Sequence, residues 1–182
     1  MAKYGKYKHL LKKGGIRLDI GCGNNKQPGM LGMDITKQSG VDIVHDIENI
    51  PYPLPDESCI QILLSHVIEH MCPKHIFKIM NELWRIMKPG GQLLISMPFA
   101  SSPGFWQDPS HCHAWSESTA YYFDPHPMVN GVKMEWNMVY NVYKPKPWKL
   151  LQNDFDPAAD MRVTYLKRPM EEASAYFKKE TK

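Results

Sequence analysis

Apolar residues follow two rhythms along the first hundred positions. Short apolar runs of strand length stand at 16–20, 30–35, 41–47 and 59–65, each bounded by glycine, proline or polar residues, and they predict four strands. Beyond the fourth run the period changes. Ile76, Met80, Leu83, Trp84 and Met87 recur at i, i+4, i+7, i+8 and i+11, one apolar stripe along a helix for which Pro73 suits the first position. That helix is expected to stop at Lys88-Pro89-Gly90-Gly91, a cation near the helix end followed by residues that cannot continue it. "QLLISMPF" then predicts a fifth strand.

Strands alternating with helices or crossovers imply an α/β chain: a Rossmann-like doubly wound sheet, mostly parallel and covered on both faces. Residues 99–128 break the pattern. They have no regular period and hold Phe99, Phe105, Trp106, Trp115, Tyr121, Tyr122 and Phe123 together with His111, His113 and His126. A segment this aromatic between strands is expected to be a lid or a substrate pocket wall. After it, 134–143 and 161–167 alternate well enough to predict an antiparallel C-terminal strand pair, with Pro145, Pro147 and Pro157 interrupting the link.

Composition narrows the class. The 182 residues fit one domain that can bury a core without disulfides or a structural metal. At 43% hydrophobic and 23% charged, the chain lies far from disordered, collagen-like or membrane sequences. No apolar run approaches the roughly 20 residues of a membrane span, and "MAKYGKYKHLLKKGG" lacks the apolar core of a signal peptide, so a cytoplasmic location and no membrane partner are expected. Cys22, Cys59, Cys72 and Cys112 contain no C-x-x-C pair and form neither a disulfide framework nor a zinc ribbon. The net charge is +3, and six of the first thirteen residues are Lys or His. Basic ends are more often solvated tails than nucleic-acid surfaces.

In an open α/β sheet ligands bind at the carboxyl ends of the strands, and the polar residues of the first half fall there. Gly21 and Gly23 allow a sharp turn after the first strand and a close approach of backbone to ligand. A dinucleotide fold needs G-x-G-x-x-G, but Lys26 stands where the third glycine belongs, which disfavours an NAD enzyme. Asp34 ends the second strand, where a carboxylate accepts hydrogen bonds from both hydroxyls of an adenosine ribose. Asp46 ends the third, placed for an adenine amino group, and Asp19 on the turn is placed for a ligand ammonium. Three strand-end acceptors without a pyrophosphate cradle describe a nucleoside carrying an amino-acid tail, and S-adenosylmethionine fits.

"LDIGCGNNKQPGMLGMDI" resembles the glycine motif and second strand of class I S-adenosylmethionine-dependent methyltransferases, in particular a short subgroup, type 11-like, whose first helix is reduced to a loop of the form G-C-G-x-x-K-x-P-G. "VDIVHDIENIPYPLPDESCIQIL", "SHVIEHM" and "ELWRIMKPGGQLLISMP" are similar to the segments that follow, so that the resemblance covers about 16–98. The family's usual T-G after G-C-G is Asn24-Asn25 here. The resemblance implies cofactor roles for Asp19, Gly21, Cys22, Gly23, Asn24, Asp34, Ile35 and Asp46, an adenine-facing backbone N–H at Ile47, and Ser65 and His66 beneath the methionine portion. "DPSHCHAWSESTAYYF" resembles the D-P-x-H-x-x-x-W/F-T segment that many such enzymes carry after strand five.

Methyl transfer from a sulfonium is an in-line displacement in which the protein contributes alignment and electrostatics, and a base matters only for a protonated nucleophile. Candidate bases are His111, with Asp108 as an orienting carboxylate, and His70; the alternative for each histidine is a structural hydrogen bond. His66, His70, His111 and His113, with Glu69 and Cys112 nearby, also admit a metal reading, but "HVIEH" is not H-E-x-x-H, and no metal is expected. The expected activity is methylation of an oxygen or nitrogen on a small-molecule acceptor such as a sugar or metabolite. A non-catalytic cofactor-binding module or partner subunit is the alternative. A nucleic-acid acceptor is disfavoured, because the fourth strand ends in "SHVIEH" and not in a D/N-P-P-Y/F motif.

Overall fold

The structure, a computed structural model, describes residues 14–134, 142–169 and 171–173. In chain order the elements are β1 (Ile16–Ile20), β2 (Leu31–Asp34), β3 (Ile43–Val44), β4 (Cys59–Ser65), α1 (Ile76–Ile86), β5 (Met87–Pro98), α2 (Pro103–Trp106), α3 (Glu117–Tyr121), β6 (Met128–Val129), β7 (Val132–Lys133), β8 (Trp148–Phe155) and β9 (Asp160–Lys167). Seven strands form one sheet in the order β3-β2-β1-β4-β5-β9-β8, while β6 and β7 make a separate hairpin. The first five strands pair in parallel; β9 runs antiparallel to β5, and β8 antiparallel to β9. The chain moves outward from β1 to β3, then returns to lay β4 on the other side of β1. The point of reversal between β1 and β4 is where such a sheet opens a ligand crevice.

The central strands are apolar on both faces because both are covered. Leu18, Ile62, Leu64 and Leu93 are wholly buried, as are Ile79, Met80, Leu83 and Ile86 of α1. Burying each such side chain contributes about 1.5–3 kcal/mol relative to exposure, so this layer supplies the bulk of the drive to fold. A 3-10 turn at Pro73–His75 leads into α1, which ends when the Met87 amide donates to Leu83 O.

Three expectations shift. The fifth strand starts at Met87 and not at Gln92. Cys59 pairs with Met87 and Gln61 with Gln92, so Lys88–Gly91 bulges out, helped by Pro89, which has no N–H to donate, and by Gly90 at φ 78°. The third strand is only Ile43–Val44, since the Asp42 carboxylate takes the Gly32 amide at 2.8 Å in place of a ladder partner. The partner of 161–167 is β8 and not 134–143, of which 135–141 lie outside the described residues. A register shift between Leu150 and Gln152 breaks the alternation of β8, and this hid the strand. Pro157 sits in the turn joining β8 to β9.

Much of the aromatic content of 99–128 is core. Trp115 and Phe123 are buried and stacked at 5.9 Å, and the Tyr165 hydroxyl donates to Ala120 O at 2.7 Å, which ties α3 to the sheet. Among the described residues no helix is long and apolar enough to cross a membrane.

Candidate active site

The turn after β1 is built by its glycines. Gly21 has φ 68°, and a Cβ there would stand 2.2 Å from Val67 Cγ2, so no other residue fits without displacing the turn after β4. The Gly21 amide donates to Met33 O at 2.8 Å, and the Gly23 amide donates to Asp34 Oδ2 at 2.9 Å. The second oxygen of Asp34 accepts from the Thr36 amide at 2.9 Å. The end of β2 is thereby locked to the glycine turn. Asp19 is buried, and its carboxylate accepts from the Gln27 amide at 2.8 Å; burial pushes its pKa up, against the pull of that bond and of Lys26. Asp46 accepts from the Glu48 amide at 2.9 Å and from Asn49 Nδ2 at 3.2 Å.

These strand ends enclose a cavity of about 110 Å³ lined by Ile20, Gly21, Asp34, Ile35, His45, Asp46, Ile47, Val67 and Met71. Ile35 is 66% exposed, an apolar surface lying open beside a carboxylate. Two acids and several aliphatic side chains around a crevice suit a flat heterocycle joined to a diol. Of the residues expected at a cofactor, Gly21, Asp34, Ile35, Asp46 and Ile47 line this cavity. Asp19, Cys22, Gly23, Asn24, Ser65 and His66 stand outside it. Cys22 turns inward, with Sγ 3.7 Å from Gly23 O and 3.8 Å from Gly40 O, and Asn24 Oδ1 accepts from the Ser39 amide and hydroxyl. Both brace the turn.

A second constellation lies past the ends of β4 and β5. His66 holds φ 54°, uncommon for a residue with a side chain and characteristic of functional turns. Its Nδ1 is 3.3 Å from Glu69 Oε1, and its Nε2 is 3.8 Å from Asp160 Oδ2 at the start of β9. Glu69 is completely buried, and neither carboxylate oxygen has a hydrogen-bond partner. Burial pushes its pKa up, opposed by its own backbone and by His66, His70 and His111. The Glu69 carbonyl accepts from the Cys112 and His113 amides at 2.9 and 3.0 Å, which pins the 108–113 loop against the turn after β4.

The two histidine rings there meet edge to face at 4.6 Å. His111 Nδ1 lies 2.9 Å from Phe105 O, which fixes that nitrogen as the N–H donor. Asp108 is not its orienting partner: Oδ2 is 3.8 Å from Nε2, and Oδ1 accepts from Ser110 N at 2.8 Å and Oγ at 2.6 Å. Those Ser110 bonds hold the Asp108 carboxyl below the usual carboxylate range. The Ser110 hydroxyl in turn stands 3.0 Å from His70 Nδ1. Ser110 thus links Asp108 to His70 and not to His111, whose ring packs edge to face on His70. Glu69 was legible only as a neighbour of these histidines. Its sole signal was a carboxylate inside the apolar turn "VIEHM", and the roles of Ser110, Asp160 and Val67 had none.

Residues 25–95 match the family model of the methyltransferase domain. Over the fold, a S-adenosylmethionine-dependent methyltransferase from Archaeoglobus fulgidus superposes with a TM-score of 0.58 at 20% identity, covering 91% of this chain and 92% of that one. The matched segment is similar to a methyltransferase domain, and the fold is that of S-adenosylmethionine-dependent methyltransferases. Two curated relatives are 30% identical, a tRNA N(3)-cytidine methyltransferase of Gallus gallus over 107 residues and one of Danio rerio over 106, each aligned over 43% of this chain. The chain spans only 29% and 30% of their lengths. Burkholderia thailandensis 1,6-didemethyltoxoflavin-N1-methyltransferase, solved with 1,6-didemethyltoxoflavin and S-adenosylhomocysteine, shares the fold at a TM-score of 0.55 and 8% identity over 92% of this chain and 79% of its own. Relatives named for tRNA remove the ground for disfavouring a nucleic acid as partner.

Proposed function

We propose that the chain methylates an ionisable oxygen or nitrogen on a small-molecule acceptor that binds past the ends of β4 and β5. The observation that carries this reading is the polar cluster of Glu69, His70, Ser110 and His111 beside the cofactor crevice. S-adenosylmethionine, when bound, supplies an electrophilic methyl on a sulfonium whose positive charge is lost on transfer. Asp34 and Asp46 hold the nucleoside by its hydroxyls and amino group, and Asp19 orients the amino-acid end. The left-handed bend at His66 and the bond network behind the 108–113 loop keep the acceptor groups fixed, which is how a displacement with little acid–base demand is accelerated.

His70 and His111 are the proton acceptors. With Nδ1 of each engaged by Ser110 Oγ or Phe105 O, the opposite nitrogen, Nε2, is left to receive a proton from an acceptor hydroxyl or N–H. Glu69 stabilises the imidazolium that results, His111 Nε2 lying 4.0 Å from its Oε1. Segment 99–128 supplies the acceptor's wall, with Trp106, 73% exposed, available to an incoming ring or sugar face. The four cysteines are free thiols, which suits a reducing, cytoplasmic setting.

The second reading, favoured by the relatives named for tRNA, is a nucleobase nitrogen as acceptor. Transfer of radiolabelled methyl into metabolite pools and into tRNA separates the two. Label that stays soluble after nucleic acid is removed supports the first reading; label that is acid-precipitable and ribonuclease-sensitive supports the second. Stoichiometric cofactor binding without label in either pool points to the non-catalytic module.

A further inference from the structure

One group in this cluster is not accounted for by proton transfer. A carboxylate as buried as Glu69 normally has hydrogen bonds to both oxygens, because an uncompensated charge away from water is among the costliest features a fold can carry. Glu69 has none, although three histidines surround it. His66 Nδ1 comes within 3.3 Å yet is not aligned to donate, and His111 Nε2 stops at 4.0 Å. The separation of 4.0 Å is too long for a hydrogen bond. It is a little wider than the roughly 3.3–3.6 Å between two ligands that each stand about 2.0–2.2 Å from a tetrahedral ion, a gap that a small side-chain rotation closes.

The tautomers agree with that spacing. Ser110 Oγ gives its only hydrogen to Asp108 Oδ1 at 2.6 Å, so at His70 Nδ1 the hydroxyl accepts and the imidazole donates. His111 Nδ1 donates to the Phe105 carbonyl. Both rings thus have their Nδ1 hydrogen held by an oxygen and leave the Nε2 lone pair uncommitted, which is how metal-binding histidines are oriented from behind. One nitrogen of each ring and one Glu69 oxygen lie within 4.8 Å of one another. The backbone bonds from Cys112 and His113 to Glu69 O bring the second histidine to the other two residues across forty positions of sequence.

We infer that Glu69, His70 and His111 form a binding site for a divalent transition-metal ion of the zinc class. Two imidazoles and a carboxylate match the borderline preference of Zn²⁺ and exclude the all-oxygen coordination that Mg²⁺ and Ca²⁺ select. Three protein ligands leave a coordination position open, as in catalytic and not structural zinc sites. With an ion held there, the Nε2 atoms of His70 and His111 are ligands and take no proton, so the ion replaces the proton-acceptor role given to them above. That the open position takes an acceptor oxygen rests on the methyl-transfer reading, whereas the ion's binding does not.

The experiment uses the full chain. Metal content is measured after purification without chelator, and Zn²⁺ is then titrated calorimetrically into chelator-stripped protein, with Co²⁺ absorption as a spectroscopic check. Wild type should take up about one ion per chain at micromolar affinity or better, and Glu69→Gln, His70→Ala and His111→Ala should each weaken uptake by at least about tenfold. His113→Ala, which changes a nearby histidine outside the trio, should leave it intact. S-adenosylhomocysteine binding, measured on the same samples, reports folding and the cofactor pocket separately. Wild-type protein that takes up no Zn²⁺, or variants that bind S-adenosylhomocysteine normally and Zn²⁺ undiminished, would overturn the assignment whatever the fate of the methyl-transfer reading.

Discussion

The two halves of the crevice are held together by different means. Near the ends of β1, β2 and β3 the carboxylates of Asp19, Asp34 and Asp46 are each bonded to amides no more than eleven residues away, and the turn after β1 is set by glycine. Past β4 and β5 the polar groups meet across about forty residues, His70 with Ser110 and Cys112 with Met71, while the Glu69 carboxylate accepts no hydrogen bond. The first half is preorganised by local backbone and is largely satisfied before any ligand arrives. The second keeps an unsatisfied charge that only a ligand or a proton can compensate. The satisfied carboxylates and the unsatisfied one thus lie on opposite sides of the β1–β4 switch point.

The sharpest way to break the first half is at Gly21. Gly21→Ala combines a left-handed φ with a Cβ 2.2 Å from Val67 Cγ2, and it should cost about 2–4 kcal/mol of stability and abolish measurable S-adenosylhomocysteine binding, read by denaturant melts and calorimetry. A folded protein with unaltered affinity would show that the turn is not the cofactor's seat. Asp34→Ala should be gentler on the fold. Loss of the ribose acceptor predicts a drop of about 100-fold in affinity, near 3 kcal/mol. Because Gly23 and Thr36 would lose their acceptor as well, a smaller fall in melting temperature accompanies it.

The contrast between the halves sharpens at Glu69. Removing a charge from a satisfied site destabilises, whereas removing it from a buried carboxylate that accepts no hydrogen bond relieves a penalty. In chelator-stripped protein, Glu69→Gln should therefore raise the melting temperature, by about 2–4 °C for each kcal/mol relieved, while methyl transfer to any identified acceptor falls. A lowered melting temperature would mean that Glu69 has compensation the geometry does not reveal.

The smallest effect concerns His113. Burial pushes its pKa down, so the folded state prefers the neutral ring. A depressed folded pKa gives a stabilising contribution that is complete above the ordinary value of 6.5 and is lost as pH falls through the lowered one. Stability should decline modestly below about pH 6.5, and His113→Asn should flatten that part of the profile.

Legibility in the sequence follows the same division. Runs such as "IRLDI" and "CIQILLS" have the length and apolar content of buried parallel strands, and they appear where the pattern places them. Asp34 was readable as a strand-end carboxylate because that is local information, whereas Asp46 lies two residues past the shortened third strand. The β8 strand was missed because its shift at Leu150/Gln152 destroys the period of two on which strand recognition depends. Glu69 escaped for a different reason: its burial and its lack of partners come from packing of the 108–113 loop, which no spacing within "SHVIEHM" encodes. The aromatic run from Phe99 onward was read as a pocket wall, and several of its rings proved to be core, since aromatic content alone does not say which side of the segment faces the sheet.

The central claim is that the glycine turn and the acids of β2 and β3 form an S-adenosylmethionine pocket. Calorimetric titration of the full chain with S-adenosylhomocysteine, with NADH alongside, tests it most directly. The account predicts saturable binding of about one S-adenosylhomocysteine per chain with a Kd near or below about 10 μM and no NADH binding. Absence of S-adenosylhomocysteine binding by folded protein, or preference for NADH, would contradict it.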